Sequence, residues 1–345
     1  MTTRRSFLKH LGLGAFGLGS LGGSALATPS KRSDTFRVVH VTDQHVTSRR
    51  KGDQGYRKCV ASINALDPAP DLVLMGGDMV FDGLYTELER YEESIGLFEN
   101  ISNELTAPWH PCIGNHDVLG LSSRRKVPAD HPGIGRKMLM ERLGMERDYY
   151  SFNQKGWHFV VLNSIHEEMR ESGPAYSARI GEEQLEWLAG DLGAHRGMPT
   201  LAVTHIAAFT HVGQIRQDTE MKAMHGSVLA DNLQLRRVLE RHGVKAVLQG
   251  HTHMSEDFRF RGVWYITTQS ASAAWWGGNW LGFPPGYTVL DLSPDGTFTW
   301  QAVNYVWEHQ LEPDDTLERE RIQERERLES VQDSLFQVET GWNKP

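Results

Sequence analysis

The chain has 345 residues, a formal net charge of −8 and only two cysteines, Cys59 and Cys112. That length carries one large domain, or one domain with an embellishment, and an acidic balance gives no electrostatic footprint for nucleic-acid backbones or anionic membranes. Two cysteines cannot staple a fold of this size. Their apolar settings read as buried free thiols, with a disulfide as the alternative in an oxidising compartment.

The N-terminus reads as an address. Thr3-Arg4-Arg5-Ser6-Phe7-Leu8-Lys9 sets paired arginines ahead of a Gly-rich, mildly apolar stretch from Leu11 to Leu26, and Ala25-Leu26-Ala27 offers a small-residue cleavage site. The stretch is too short and too glycine-rich to span a membrane, which takes about 20 predominantly apolar residues, and no cysteine follows it to carry a lipid. It resembles a bacterial twin-arginine signal peptide, residues 1–27, which implies the Tat export machinery as a partner and a periplasmic or secreted destination. An ordinary Sec signal or a basic tail is the bland alternative. Export of an already folded chain suits an enzyme that loads its metals in the cytoplasm.

Beyond a polar leader at 28–34, apolar runs alternate with helical patterns: strand 36–42, helix 54–66, strand 71–76, helix 86–105, strand 109–113. This alternation predicts a layered α/β domain. Residues 118–147 read as a polar, Gly/Pro-bearing insertion with a helical run at 136–143. Tyr149–Phe152 and Trp157–Asn163 read as a hairpin, and Gly181-Glu182-Glu183-Gln184-Leu185-Glu186-Trp187-Leu188 opens an amphipathic helix. The second half repeats the logic with strand 200–204, helix 229–242 and strand 244–249. Paired strands at 257–269 follow, then a hairpin of 287–292 with 297–305 joined by Ser293-Pro294-Asp295-Gly296. From Glu312 to Val338, Glu/Arg alternation predicts a solvated charged helix. The domains expected are a signal peptide at 1–27, a leader at 28–34, a catalytic domain at 35–311 and a charged helical tail at 312–345.

Five fragments punctuate the strands: Asp43-Gln44-His45, Gly77-Asp78, Gly114-Asn115-His116-Asp117, Thr204-His205 and Gly250-His251-Thr252-His253. Alone each is an ordinary turn. Together, each closing a strand, they converge on one edge of an α/β sheet, where such folds place their active sites. Carboxylate, amide oxygen and imidazole suit Fe, Mn or Zn, and the set has donors enough for two such divalent or trivalent ions.

These fragments resemble the calcineurin-like metallophosphoesterase superfamily, whose pattern is Asp-x-His, Gly-Asp, Gly-Asn-His-(Asp/Glu), His and Gly-His-x-His. The likeness covers roughly residues 36–305, Glu183-Gln184-Leu185-Glu186-Trp187-Leu188 included. It implies a four-layer α/β sandwich of two facing mixed β-sheets flanked by helices. It also implies that Asp43, His45, Asp78 and His253 hold one metal and Asp78, Asn115, His205 and His251 the other, with Asp78 bridging. In that picture a metal-bridging hydroxide attacks phosphorus, and two cations about 3.5–4 Å apart clamp the phosphoryl oxygens. His116, one residue from a ligand, is the candidate general acid, with Asp117 expected to orient it and raise its pKa; a second role for His116, orienting Asn115 or substrate, is the alternative. Purple acid phosphatases carry a metal-ligating Tyr three residues after the Gly-Asp aspartate, and here that residue is Phe81, so a purple-type site is disfavoured.

The expected activity is hydrolysis of a small-molecule phosphate ester, a diester ahead of a monoester or nucleotide, with a non-catalytic metal- or phosphate-binding protein as the other class. Two loops are left open by the sequence. Ala207 to Gly213, with Met224-His225-Gly226, is expected as a lip over the metals. Trp275 to Tyr287 concentrates aromatics, either packed or facing substrate or a partner.

Overall fold

The computed structural model describes residues 35–215 and 226–315. The twin-arginine segment, the polar leader and the charged tail beyond residue 315 lie outside the described residues. Strand β1 (Phe36–Val41) leads into α1 (Gly52–Asn64), β2 (Leu72–Met75), α2 (Leu88–Ser102), β3 (Trp109–Pro111) and α3 (Lys137–Leu143). Next come β4 (Tyr150–Gln154), β5 (Trp157–Val161), β6 (Ile165–Arg170), β7 (Gly173–Ala178), α4 (Glu182–Ala194), β8 (Thr200–Thr204) and α5 (Val212–Ile215). The chain then forms α6 (Asn232–His242), β9 (Ala246–Gln249), β10 (Glu256–Phe260), β11 (Val263–Thr267), β12 (Gly286–Leu292) and β13 (Phe298–Asn304).

The strands assemble into two mixed sheets, ordered β13-β12-β1-β2-β3 and β10-β11-β9-β8-β5-β4. In the first, β1, β2 and β3 run parallel, and β12 runs antiparallel to its neighbours β1 and β13. In the second, β5, β8, β9 and β11 run parallel and the edge strands β4 and β10 antiparallel.

Side-chain alternation explains the layering, because successive residues of a strand face opposite sides. Phe36 and Val38 of β1 and Leu72 and Leu74 of β2 join Phe159 and Val161 of β5, Leu201 and Val203 of β8 and Leu248 of β9 in one buried cluster between the sheets. The neighbours one residue along, Val39, Val41, Val73 and Met75, face outward onto Tyr56, Cys59, Val60 and Ile63 of α1 and Tyr91, Ile95 and Phe98 of α2. On the other sheet Val160, Ala202 and Val247 meet Leu188 and Leu192 of α4 and Leu235 and Leu239 of α6. The result is the four-layer arrangement expected from the sequence, with helices outside two sheets. Truncating a residue such as Leu74, which is 0% exposed, costs about 2–5 kcal/mol at a site of this kind.

The predicted elements recur within a few residues at their ends, and Cys59 and Cys112 are both buried free thiols. The hairpin β6–β7 is absent from the sequence reading. Its first strand, Ile165-His166-Glu167-Glu168-Met169-Arg170, has no period-two pattern, and Pro174 reads as a break. Because the pair forms its own two-stranded sheet, Pro174 leaves no central-strand partner without a donor. The segment 207–213 packs beside the strand ends: Phe209 stacks on Phe258 at 4.7 Å, and Gln249 Oε1 accepts from the Ala208 and Phe209 amides. Met224 and His225 lie outside the described residues.

Candidate metal centre

All five fragments leave the C-terminal ends of parallel strands on one edge of the sandwich: Asp43 and His45 after β1, Asp78 after β2, Asn115 to Asp117 after β3, His205 after β8, and His251 and His253 after β9. The turns interlock through the backbone, with the Asp43 amide donating to Gly77 O and the His45 amide to Asp78 O, both at 2.9 Å. Asp43, His45, Asp78, His251 and His253 hold positive φ angles of 54°, 42°, 52°, 72° and 61°. Left-handed backbone at non-glycine residues costs of order 1–3 kcal/mol each and survives only where the surroundings impose it. Five such residues in one constellation mark a site whose side-chain aim is set at the expense of backbone comfort.

Two glycines are required by close approach. A Cβ on Gly114 would lie 2.2 Å from both the amide nitrogen and Oδ1 of Asp78. Gly77 has φ +96°, and a Cβ there would lie 2.6 Å from His205 Nδ1.

The side chains form two adjoining groups, Asp43 with His45 and His253, and Asp78 with His205 and His251, the ligand atoms of each lying within 4.8 Å of one another. In the first, His253 Nε2 is 3.2 Å from Asp43 Oδ1 and 3.2 Å from His45 Nε2. In the second, His205 Nε2 is 3.1 Å from Asp78 Oδ2, 3.2 Å from Asn115 Oδ1 and 3.3 Å from His251 Nδ1. Asp78 Oδ2 also lies 3.7 Å from His45 Nε2, so one carboxylate oxygen sits between the groups. Asp78 Oδ1 accepts from the His116 amide at 2.7 Å.

The tautomers follow from the outer hydrogen bonds, because a carbonyl oxygen only accepts. His45 Nδ1 donates to Phe81 O at 3.0 Å, His253 Nδ1 to Ala273 O at 2.6 Å, and His205 Nδ1 to Gly76 O at 2.9 Å. In the neutral rings the Nε2 atoms that face one another are therefore lone-pair acceptors, with carboxylates beside them and almost no solvent access. Facing acceptors in a dry pocket repel unless cations lie among them. This donor set, nitrogen and hard oxygen with outer partners fixing each ring, fits transition-metal ions.

Without such ions the electrostatics are strained. Burial pushes His45 and His251 down to about 3. For His205 burial also acts downward, but the Asp78 carboxylate outweighs it and holds the ring up at about 9. Asp78 and Asp43 stay well below the usual carboxylate range: burial opposes ionisation, and His205 for Asp78 and His253 for Asp43 more than offset it.

His116 stands at the rim, edge-on to His45 at 5.1 Å, with 18% of its side chain exposed. Its Nδ1 is 3.1 Å from Asp82 Oδ1. The expectation that Asp117 orients His116 is not met. Asp117 is buried, its Oδ1 accepts from the Met79 and Val80 amides at 2.8 and 3.0 Å, and its Oδ2 accepts from the Gly114 amide at 2.8 Å. Asn115–Asp117 form a 3-10 turn, in which neighbouring side chains diverge, so Asp117 ties the β3 turn to the β2 turn while Asp82 faces the imidazole. Asp82 went unnoticed in the sequence; an acid four residues after Asp78 is the only trace it leaves.

The Trp275 loop divides. Trp276 is buried, and its Nε1 donates to His45 O at 2.9 Å. Trp275 faces the site, with ring centroids 4.4 Å from His253, 5.1 Å from His45 and 6.4 Å from His116. Tyr85 meets His116 edge-on at 6.4 Å. Tyr85 also borders a cavity of about 750 Å³ lined in part by Ser122, Ser123, Arg170, Tyr176 and Ser177. Phe81 supplies only its carbonyl to His45. A further group is His158 of β5, Asp191 of α4 and His195 at the end of α4, where Asn153 Oδ1 and Asp191 Oδ2 already meet both nitrogens of His158.

Among curated proteins, the chain is 26% identical over 294 residues to a 3′,5′-cyclic-nucleotide phosphodiesterase of Nostoc sp., covering 80% of this chain and 95% of that protein. It is 35% identical over 250 residues to a probable glycerophosphodiester phosphodiesterase of Arcobacter nitrofigilis, covering 68% of this chain and 78% of that one. A solved structure of PhoD aligns with a TM-score of 0.47 and 14% identity over 81% of this chain and 67% of that chain. The family model for calcineurin-like phosphoesterases matches residues 36–255, the span that carries every fragment of the site. The chain belongs to the calcineurin-like phosphoesterase family and is a hydrolase of phosphoric esters.

Proposed function

We propose that this chain is an exported phosphodiesterase that works with two transition-metal ions, Fe, Mn or Zn, on a small-molecule diester. The observation that carries the two-ion reading is the place of Asp78 Oδ2, 3.1 Å from His205 Nε2 and 3.7 Å from His45 Nε2. Asp43, His45 and His253 would hold one ion, Asn115, His205 and His251 the other, and Asp78 would bridge them. Bound there, such ions would polarise the phosphoryl oxygens and make a water nucleophilic near neutral pH.

The chain's own groups account for the rest. His116 is placed to hold the proton that the departing alcohol needs. Its Nδ1 donates to a carboxylate that can only accept, so Nε2 is the nitrogen left to face substrate. Burial acts downward on the ring, but the charge of the Asp78 carboxylate, and after it the hydrogen bond and charge of Asp82, outweigh burial and raise His116 above its ordinary value. The Trp275 face and the cavity beside Tyr85, both next to His116, give two ester arms room, which a monoester does not need. The names of the Nostoc and Arcobacter relatives support a diester. Export rests on Arg4-Arg5 and the small residues up to Ala27.

Metal-loaded protein assayed with bis(p-nitrophenyl) phosphate and p-nitrophenyl phosphate separates the readings. We expect kcat/KM for the diester to exceed that for the monoester by about tenfold or more. The reverse order would make it a monoesterase, and no turnover of either would remove the enzymatic reading of the site. Replacing Arg4 and Arg5 by lysine should strand the protein in the cytoplasmic fraction of an exporting host. Undiminished export of that variant would contradict the twin-arginine route.

A further inference from the structure

The loop that carries Trp275 is held from outside the site. Ala273, Trp275 and Trp276 have φ angles of 49°, 49° and 68°, a run of left-handed non-glycine backbone that needs fixed partners to persist. Trp276 is anchored from below by its bond to His45 O, and Trp280 Nε1 donates to Thr252 O at 2.9 Å. Trp275 itself is secured through its backbone, because Arg50 Nη1 donates to Trp275 O at 2.9 Å.

Arg50 is in turn gripped by the start of the charged C-terminal segment. Its Nε and Nη2 form a fork onto Asp315 Oδ2 and Oδ1, each at 3.0 Å, and its amide donates to Glu312 Oε1 at 2.8 Å. The Glu312 amide closes the cluster onto Asp315 Oδ2 at 2.8 Å, and Arg49 Nη2 meets Asp314 Oδ1 at 2.5 Å. The Arg50 and Asp315 side chains are 12% and 9% exposed, so this is a shielded bidentate pair of the geometry for which arginine is suited and lysine is not.

We infer that Trp275 is a specificity-determining wall for an aromatic ester arm, and that Arg50, clamped by Asp315, is the positioning residue that holds it over the metal-site histidines. The indole nitrogen carries a hydrogen and offers no lone pair to a metal, and it is far too weak an acid to protonate a leaving oxygen; what Trp275 offers is a flat apolar face beside the metal-site histidines. Among the described residues, the hydrogen bonds of Arg50 run to Glu312, Asp315 and the Trp275 carbonyl, and that carbonyl is its link to the loop over the site. Glu312 and Asp315 thereby acquire a task at the active site beyond solvating the surface.

The inference rests on the phosphodiesterase reading and is tested with two diesters that share a leaving group, bis(p-nitrophenyl) phosphate and methyl p-nitrophenyl phosphate. Trp275→Ala should raise KM for the bis-aryl ester by about tenfold, the loss of one aromatic stacking contact, with kcat within about twofold and the methyl ester nearly unaffected. Arg50→Ala should give the same pattern at about three- to fivefold, Arg50→Lys should not restore it, and Asp315→Asn, a milder change, should fall between Arg50→Ala and wild type. On the Trp275→Ala background, Arg50→Ala should add nothing further. Equal losses on both esters, a fall in kcat alone, or a full Arg50→Ala effect without Trp275 would overturn the inference while leaving the diesterase reading intact. Failure of wild-type, metal-loaded protein to hydrolyse either ester would overturn both.

Discussion

Asp82→Asn tests how the candidate acid is held. Asp82 Oδ1 accepts from His116 Nδ1 at 3.1 Å and from the Leu84 and Tyr85 amides at 2.8 and 3.3 Å. Asparagine has nearly the same shape and can still accept from the two amides, so the loop should keep its course. What it loses is the charge opposite the imidazole. A hydrogen bond to a charged group contributes about 1.5–3 kcal/mol net, and with both side chains less than one-fifth exposed solvent screens little of it. If that difference is expressed in the transition state, kcat falls by about 10- to 150-fold. Removing the acid outright, in His116→Ala, should cost about 10²–10⁴-fold, and Asp82→Asn on that background should cost almost nothing more. The assay is steady-state hydrolysis of diesters over a range of leaving-group pKa, with metal content measured in parallel. The loss should grow with leaving-group pKa, because poor leaving groups need the proton most. A loss that is independent of the leaving group, or one that multiplies with His116→Ala, would refute the pairing, and loss of metal would show that Asp82 supports the ligands instead.

Gly114→Ala should weaken metal binding without touching a candidate ligand: a Cβ 2.2 Å from Asp78 N and Oδ1 must displace the Asp78 carboxylate, and misplaced outer support typically costs 10- to 100-fold in affinity. Unchanged stoichiometry and affinity by titration calorimetry would mean that Asp78 is not held as described. His40, buried between the sheets with Nδ1 2.7 Å from Thr268 Oγ1, is pushed down to about 3 by burial, only partly opposed by Asp43. Its unfolded value is near 6.5, so below that pH the unfolded chain binds a proton the folded chain refuses, and stability falls with pH down to about 3. At pH 5 this amounts to about 2 kcal/mol relative to pH 7. Urea unfolding of chelator-treated protein should therefore show a smaller pH 7-to-5 loss for His40→Gln than for wild type; identical losses would contradict a neutral buried His40.

The convergence of the candidate ligands was legible because each closes an apolar run, and strand ends are where a parallel sheet delivers side chains to a common edge. Asp43, His45, Asp78, Asn115, His205, His251 and His253 all arrive there. The partner of His116 was not legible in this way. Asp117 is the sequence neighbour of His116, but a 3-10 turn carries its carboxylate to the backbone of Met79 and Val80, and Asp82 reaches the imidazole from a different turn. Tertiary pairing, not proximity in the chain, decides such contacts. The β6–β7 hairpin hid because an isolated two-stranded ribbon with little to bury needs no alternating pattern. Trp275 and Trp276 are adjacent and chemically alike, and only the left-handed turn sends one into the core and the other over the site.

The central claim is that the two ligand groups hold two ions joined through Asp78, and elemental analysis of protein isolated from its native host tests it most directly. Wild type should carry two transition-metal ions per chain, and Asp78→Asn should lose both, together with nearly all diester hydrolysis, while its circular dichroism is retained. One ion in wild type, or two ions and near-normal turnover in Asp78→Asn, would contradict it.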